Sequence, residues 1–138
     1  MKTLFVCWQN VSRSQIAAAY YNRLTHSHDA DSAGTQVELP GETLQERRNR
    51  IGGTVAIELL AQDGMDIADN KKTQLTPAML GRYDRIICMA DKSVTPEWLK
   101  NSAKYIYWAI SDPGAKDLAQ AATARDEIVA RIKELITL

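Results

Sequence analysis

The sequence predicts a single-domain three-layer α/β sandwich, in which a four-stranded parallel sheet of order 2-1-3-4 is flanked by helices. Three observations carry that expectation. Short apolar runs that read as buried strands alternate with longer segments of helical periodicity, the pattern of parallel strands joined by crossovers. The 138 residues suffice for one domain, 1–138, that buries roughly two thirds of its unfolded surface. No repeat, low-complexity tract or linker interrupts the alternation.

Residues 3–7 form a continuous apolar run too short for a helix, which gives a first strand buried on both faces. After a loop, Ser14 reads as the cap of a helix whose Ile16, Tyr20 and Leu24 recur every four residues. Ala17 and Ala18 allow it to pack closely on the sheet. A polar turn over 25–29 leads to Ala30-Asp31-Ser32-Ala33-Gly34, a short second strand closed by glycine. Pro40-Gly41 is a turn, and Glu42, Glu46, Arg47, Arg48 and Arg50 follow at mixed spacing before Gly52-Gly53. This stretch reads as a solvated helix or loop; the alternative makes Arg47, Arg48 or Arg50 a rim that attracts phosphorylated substrates.

Ile51, Val55, Leu59 and Leu60 give an amphipathic helix closed by Asp63-Gly64, followed by the link Met65-Asp66-Ile67. Thr76-Pro77 and Thr95-Pro96 each read as a helix start, a capping hydroxyl with proline at the first position. Residues 85–89 are the third strand, and the aromatic and β-branched residues 105–110 the fourth, which runs directly into Ser111-Asp112-Pro113-Gly114. The last helix, over about 116–136, presents Ile128, Val129, Ile132, Leu135 and Ile136 on one face. Cys7, Gly34, Met89 and Asp112 thus fall at or just past strand ends, where open α/β sheets gather function.

Seventeen basic and seventeen acidic residues leave no net charge, so a general nucleic-acid or membrane-surface binder is not indicated and any anion site must be local. No apolar run reaches the length of a membrane span, and the amino terminus enters a strand within three residues, without the plan of a signal peptide. A cytoplasmic protein is expected. Cys7 and Cys88 are too few for a disulfide framework or a zinc site, and His26 and His28 read as solvated loop histidines. Neither a metal nor a cofactor is implied.

The chemistry gathers between the first strand and helix, at Cys7-Trp8-Gln9-Asn10-Val11-Ser12-Arg13-Ser14. With nine arginines and two cysteines in the chain, Cys-x5-Arg arises by chance roughly one time in eight, so its position must carry the argument. A thiol attacks only as its thiolate, and here the sulfur would face a helix amino end, whose unpaired N–H groups and dipole favour negative charge. Arg13 would fold over the same hollow and grip two oxygens of a tetrahedral oxyanion. Asn10 tolerates a left-handed loop backbone, and the Ser14 hydroxyl can donate to the sulfur. Displacing an alkoxide from phosphorus also needs a proton donor, and Asp112, held extended by Pro113, is the candidate beside its plainer reading as a turn residue.

These segments, with Ser32-Ala33-Gly34-Thr35, Tyr83-Asp84-Arg85-Ile86-Ile87-Cys88-Met89 and Trp108-Ala109-Ile110-Ser111-Asp112-Pro113, resemble the low-molecular-weight protein tyrosine phosphatase family in order and spacing over nearly the whole chain. Arg13-Ser14-Gln15-Ile16-Ala17 and Arg125-Asp126-Glu127-Ile128 also resemble the arsenate reductases of the same fold. The resemblance implies Cys7 as the nucleophile that forms a phosphocysteine, Arg13 as the transition-state clamp, and Asp112 as general acid and then base. Trp8, Gln9, Asn10, Val11, Ser12 and Ser14 would complete the phosphate-binding loop and its supports. The implied substrate is a phosphorylated protein or small phosphomonoester, with inorganic phosphate as product.

The departures from the family pattern fall in the loop. Gln9 stands where the family usually has glycine, so the backbone is altered or the mouth narrowed by its side chain. Ser12 replaces a frequent second loop cysteine, which removes a protective disulfide. Val11 is apolar, as in the tyrosine-type enzymes. Gly114 and Ala115 stand where tyrosine-specific members often carry aromatics, and Trp8 either replaces that wall or packs on the body of the protein.

Arsenate reduction is the alternative, since arsenate mimics phosphate and Cys7 could carry the adduct. Ala90-Asp91-Lys92-Ser93 lacks the further cysteines of thioredoxin-linked members, and Cys88 reads as a core residue, so an external small thiol would be required. A non-catalytic phosphate-binding module and a flavodoxin-like loop for a cofactor phosphate are remoter, because neither needs a cysteine at the base of the loop. The oligomeric state is not legible.

Overall fold

In the computed structural model, which describes residues 1–114 and 117–137, four strands form one parallel sheet. They are β1 (Thr3–Cys7), β2 (Ala30–Gly34), β3 (Arg85–Cys88) and β4 (Tyr105–Tyr107), in the order β2-β1-β3-β4. The predicted fold class and strand order are those observed. β1 lies in the middle, with all five residues buried, which is why it reads as an unbroken apolar run. Its register sets Cys7 beside Gly34 of β2 and Val6 beside Cys88 of β3, so the loop after Cys7 emerges between two other strand ends.

Helices α1 (Arg13–Thr25), α3 (Val55–Gln62) and α5 (Leu118–Thr137) cover one face with Phe5, Ile87, Met89 and Trp108. The short α4 (Glu97–Lys100) and two 3-10 turns cover the other, around Leu4, Val6, Ile86 and Cys88. α2 (Leu44–Ile51) lies among the loops beyond the strand ends. No helix among the described residues is long and apolar enough to cross a membrane.

Several local expectations are corrected. Ser12, not Ser14, is the N-cap of α1, and it makes no side-chain cap; the hydroxyl of Ser14 is directed to Cys7 instead. The charged stretch, read as a solvated helix or loop, does hold a helix, α2, started by a capping box in which Thr43 and Glu46 satisfy each other's backbone N–H groups. Ile51 ends α2 and is exposed, because Gly52, Gly53 and Thr54 all take positive φ and break the helix before α3. The link after α3 is longer than Met65-Asp66-Ile67 and is bridged to the rest at Lys71 and Gln74.

Thr76 precedes a 3-10 turn (Pro77–Gly81) without a side-chain cap, and Pro96 is itself the cap of the one-turn α4. β3 stops at Cys88 and β4 at Tyr107, since Met89 and residues 108–110 turn toward the site. α5 buries Ala121, Ala124, Ile128 and Ile132, with Leu135 half-buried and Ile136 exposed. The expected helix start at 116 and the contrast at Ala115 lie outside the described residues. His26 and His28 are exposed, as solvated loop residues would be.

Candidate active site

The loop from Cys7 to Arg13 closes over the amino end of α1. Among the described residues, the backbone N–H groups of residues 8–14 have no protein acceptor, so they form an arc of free donors at a helix start. Asn10 shapes the arc. It takes φ 60°, a conformation that asparagine tolerates better than most residues. Its Oδ1 accepts from the N–H of Thr73 at 2.8 Å, while its Nδ2 donates to Ser14 Oγ at 2.7 Å and Ser32 Oγ at 2.9 Å. Gln15 Nε2 donates to the Asn10 carbonyl at 3.1 Å, which fixes the loop from inside α1. Gly34 leaves room for the backbone: a Cβ there would stand 2.7 Å from the Trp8 carbonyl oxygen and 2.8 Å from the Asn10 nitrogen.

Cys7 is 3% exposed, with its Sγ 3.0 Å from Ser14 Oγ. Because Ser14 Oγ already accepts from Asn10, its own hydrogen is left for the sulfur. The Asn10–Ser14 pair can thereby donate a hydrogen bond to Sγ.

Arg13 is buried, and its Nη1 donates to the carbonyls of Met89 and Ile110, the latter at 2.9 Å. Those carbonyls belong to the segments just beyond β3 and β4, so the sheet ends fix the guanidinium and leave its other nitrogens toward the cavity. Nη2 lies 3.5 Å from Asp112 Oδ2. Trp108, packed on Phe5 at 5.9 Å between ring centroids, is buried with Ile110 and Pro113, whereas the Asp112 side chain between them is half exposed. Asp112 Oδ1 accepts from the N–H of Gly114 at 2.9 Å, which holds the carboxyl group in place.

Cys7, Trp8, Gln9, Val11, Ser12, Arg13 and Asp112 line one cavity of about 140 Å³, and Asn10 and Ser14 support it from behind. A wider cavity of about 430 Å³ shares Trp8, Arg13 and Asp112 and continues to Val94 and Tyr107. Trp8, 41% exposed, lines both, its Nε1 donating to Gln36 Oε1 at 2.8 Å. Gln9 does not take a positive φ; its Oε1 accepts from the N–H of Glu38 at 3.1 Å, which ties the loop to its neighbour. Ser12 Oγ is buried without a partner among the described residues.

Of the three arginines considered for a rim, Arg47 alone lines the smaller cavity. Arg48 pairs with Glu58, and Arg50 with Glu42 and Glu38. The supports from Thr73, Ser32 and the carbonyls of Met89 and Ile110 were not legible, because they are backbone or small polar groups far away in the chain. Cys88 alternates onto the opposite face of the sheet from the side of Phe5 and Cys7, packed with Leu4 and Val6. Burial pushes its thiol up. No group of three or more His, Cys, Asp or Glu side chains among the described residues could hold a metal ion.

The model of the low molecular weight phosphotyrosine protein phosphatase family matches residues 2–137. The chain is 29% identical to an arsenate reductase of Brevibacillus brevis, with 94% of this chain and 90% of the relative covered. It is 26% identical to a glutaredoxin arsenate reductase of a Synechocystis species, over 98% of this chain and 95% of the relative. A crystal structure of a low molecular weight protein tyrosine phosphatase from T. tengcongensis has the same fold, with a TM-score of 0.79 at 23% identity, covering 99% and 98% of the two chains.

Proposed function

The chain belongs to the low molecular weight phosphotyrosine protein phosphatase family, and from that premise we propose that it hydrolyses phosphomonoesters through a phosphocysteine on Cys7. The observation that carries this reading is that Cys7, Arg13 and Asp112 line one small cavity behind an arc of free N–H groups. Hydrolysis can be completed there with this chain's own residues and water.

In the first step the phosphoryl oxygens occupy the N–H arc and the free edge of Arg13, where charge developing on phosphorus is stabilised. Cys7 Sγ attacks phosphorus, the bond to the leaving oxygen breaks, and that oxygen takes the proton of Asp112. In the second step Asp112 accepts a proton from water as the water attacks phosphorus, which releases phosphate and restores Sγ, still hydrogen-bonded by Ser14. The wider cavity beyond Asp112, with Trp8 and Tyr107, receives the organic part of the leaving group.

The relatives named arsenate reductases favour a second reading, in which arsenate takes the place of phosphate on Cys7. Reduction then requires a second thiol. Cys88 faces the other side of the sheet, buried, so that thiol must come from a separate molecule.

Assays run in parallel separate the readings. Reduced protein is expected to turn over para-nitrophenyl phosphate between pH 5 and 8, with competitive inhibition by phosphate or vanadate. No turnover would overturn the phosphatase reading. Arsenate reduction with glutathione, mycothiol or thioredoxin that exceeds phosphatase turnover would put the second reading first.

A further inference from the structure

We propose that Arg47 is a specificity-determining residue, which selects phosphomonoesters carrying a second anionic group beside the reacting phosphoryl; the inference rests on the phosphatase reading of the same cavity. Arg47 reaches the cavity of Cys7, Arg13 and Asp112 from α2, an element separate from the phosphate-binding loop. Its charge is not spent elsewhere. Arg48 is 2.7 Å from Glu58, and Arg50 is 2.7 Å from Glu42 and 3.1 Å from Glu38, whereas among the described residues no carboxylate forms an ion pair with Arg47.

The guanidinium is also held in place. Nη1 donates to Thr54 Oγ1 at 3.0 Å and to the Gly52 carbonyl at 3.5 Å, and Thr54 is itself buried. Nε and Nη2 remain for a ligand. Burial lowers the pKa of Arg47, against the opposing pull of Glu38, yet an arginine stays charged throughout the working range. A half-buried guanidinium without an ion partner gains most from an anion that shares its cavity.

That anion is distinct from the reacting phosphoryl. The phosphoryl oxygens are served by the N–H arc and by Arg13, whose own charge is already faced by Asp112. α2 is locked by the buried Leu44, the Thr43–Glu46 capping box and the Glu42–Lys72 ion pair at its foot. Arg47 is therefore a preorganised second anion contact for a carboxylate or phosphate on the leaving group.

The test is calorimetric binding to the Cys7→Ala protein, which holds substrates with no nucleophile at position 7. The probes are 3- and 4-carboxyphenyl phosphate, benzene-1,3-diyl bisphosphate and the neutral 3- and 4-carbamoylphenyl phosphates. With Arg47 present, at least one carboxylate or the bisphosphate is expected to bind roughly five- to tenfold tighter than its neutral counterpart. In Arg47→Leu that ratio should fall to about one, and Arg47→Lys should restore part of it, as any cation would.

Which anion gains identifies the group preferred. Equal ratios with and without Arg47, or equal weakening of all probes by Arg47→Leu, would overturn the proposal. Affinity ratios do not depend on the fraction of folded variant. If the probes bind but protein with Cys7 intact hydrolyses none of them, the phosphatase reading fails while the ratios still judge Arg47.

Discussion

The hydroxyl of Ser14 has a single hydrogen, and Asn10 decides where it goes. By donating to Ser14 Oγ at 2.7 Å, Asn10 Nδ2 leaves the Ser14 hydrogen for Cys7 Sγ at 3.0 Å. Removing a hydrogen bond to an ionised group costs about 1.5–3 kcal/mol, so Ser14→Ala should lower kcat/KM for para-nitrophenyl phosphate by roughly ten- to 150-fold. Steady-state kinetics checks it, and an unchanged kcat/KM would remove Ser14 from the account. The residue types at this site were legible because they are local: Cys7, Asn10, Arg13 and Ser14 lie within eight positions. What was not legible is how they are held. The Asn10 side chain reaches the backbone of Thr73, and Arg13 is fixed by the carbonyls of Met89 and Ile110, groups that carry no side-chain signal.

At the scale of elements, an ionic knot at the foot of α2 helps to hold it in place. Lys72 is 1% exposed, 2.8 Å from Glu42, and also donates to the Glu38 carbonyl, while Arg50 closes the other side of Glu42. Hydrogen bonds from Arg50 first and then Lys72 hold the Glu42 carboxyl far below its ordinary value, at about 2. A carboxylate whose folded pKa is depressed stabilises the fold fully above its unfolded pKa and loses that contribution as pH falls through the folded value. The thermal midpoint of the wild type should therefore exceed that of Glu42→Gln at pH 6. The difference should shrink below about pH 4.5 and close near pH 2. A gap that persists unchanged at pH 2 would show that Glu42 acts through its shape rather than its charge.

The sequence left α2 open between a solvated helix and a loop, because a short, highly charged helix has no apolar period to announce it. Only Leu44 is buried, and the capping box of Thr43 and Glu46 is the one local signal. Likewise Gly52-Gly53 was a sounder helix break than the spacing of Ile51 and Val55 was a helix, since three consecutive positive φ values leave no continuous turn.

For the molecule as a whole, the parallel sheet explains why distant residues meet. β1, β3 and β4 run the same way, so Cys7 and the segments with Met89 and Asp112 leave the sheet on one edge, and Gly34 at the end of β2 gives the loop room. That alternation of strands and helices was legible because β1 and β3 are short apolar runs, β4 is aromatic and β-branched, and each large helix has its own period. The polar β2 was marked mainly by its closing glycine. The strand ends were less so: residues 89 and 108–110 are apolar enough to read as strand, yet they turn away to serve Arg13 and Asp112.

A covalent phosphoryl on Cys7 is the intermediate on which hydrolysis depends, and rapid acid quenching of the reaction with para-nitrophenyl phosphate, followed by peptide mass spectrometry, detects it. A phosphoryl adduct is expected on the Cys7 peptide, larger in Asp112→Ala because water attack is slowed, and absent from the position-7 peptide in Cys7→Ala, which has no nucleophile there. Full turnover with no adduct on Cys7 in any quench, or an adduct on another residue, would contradict it.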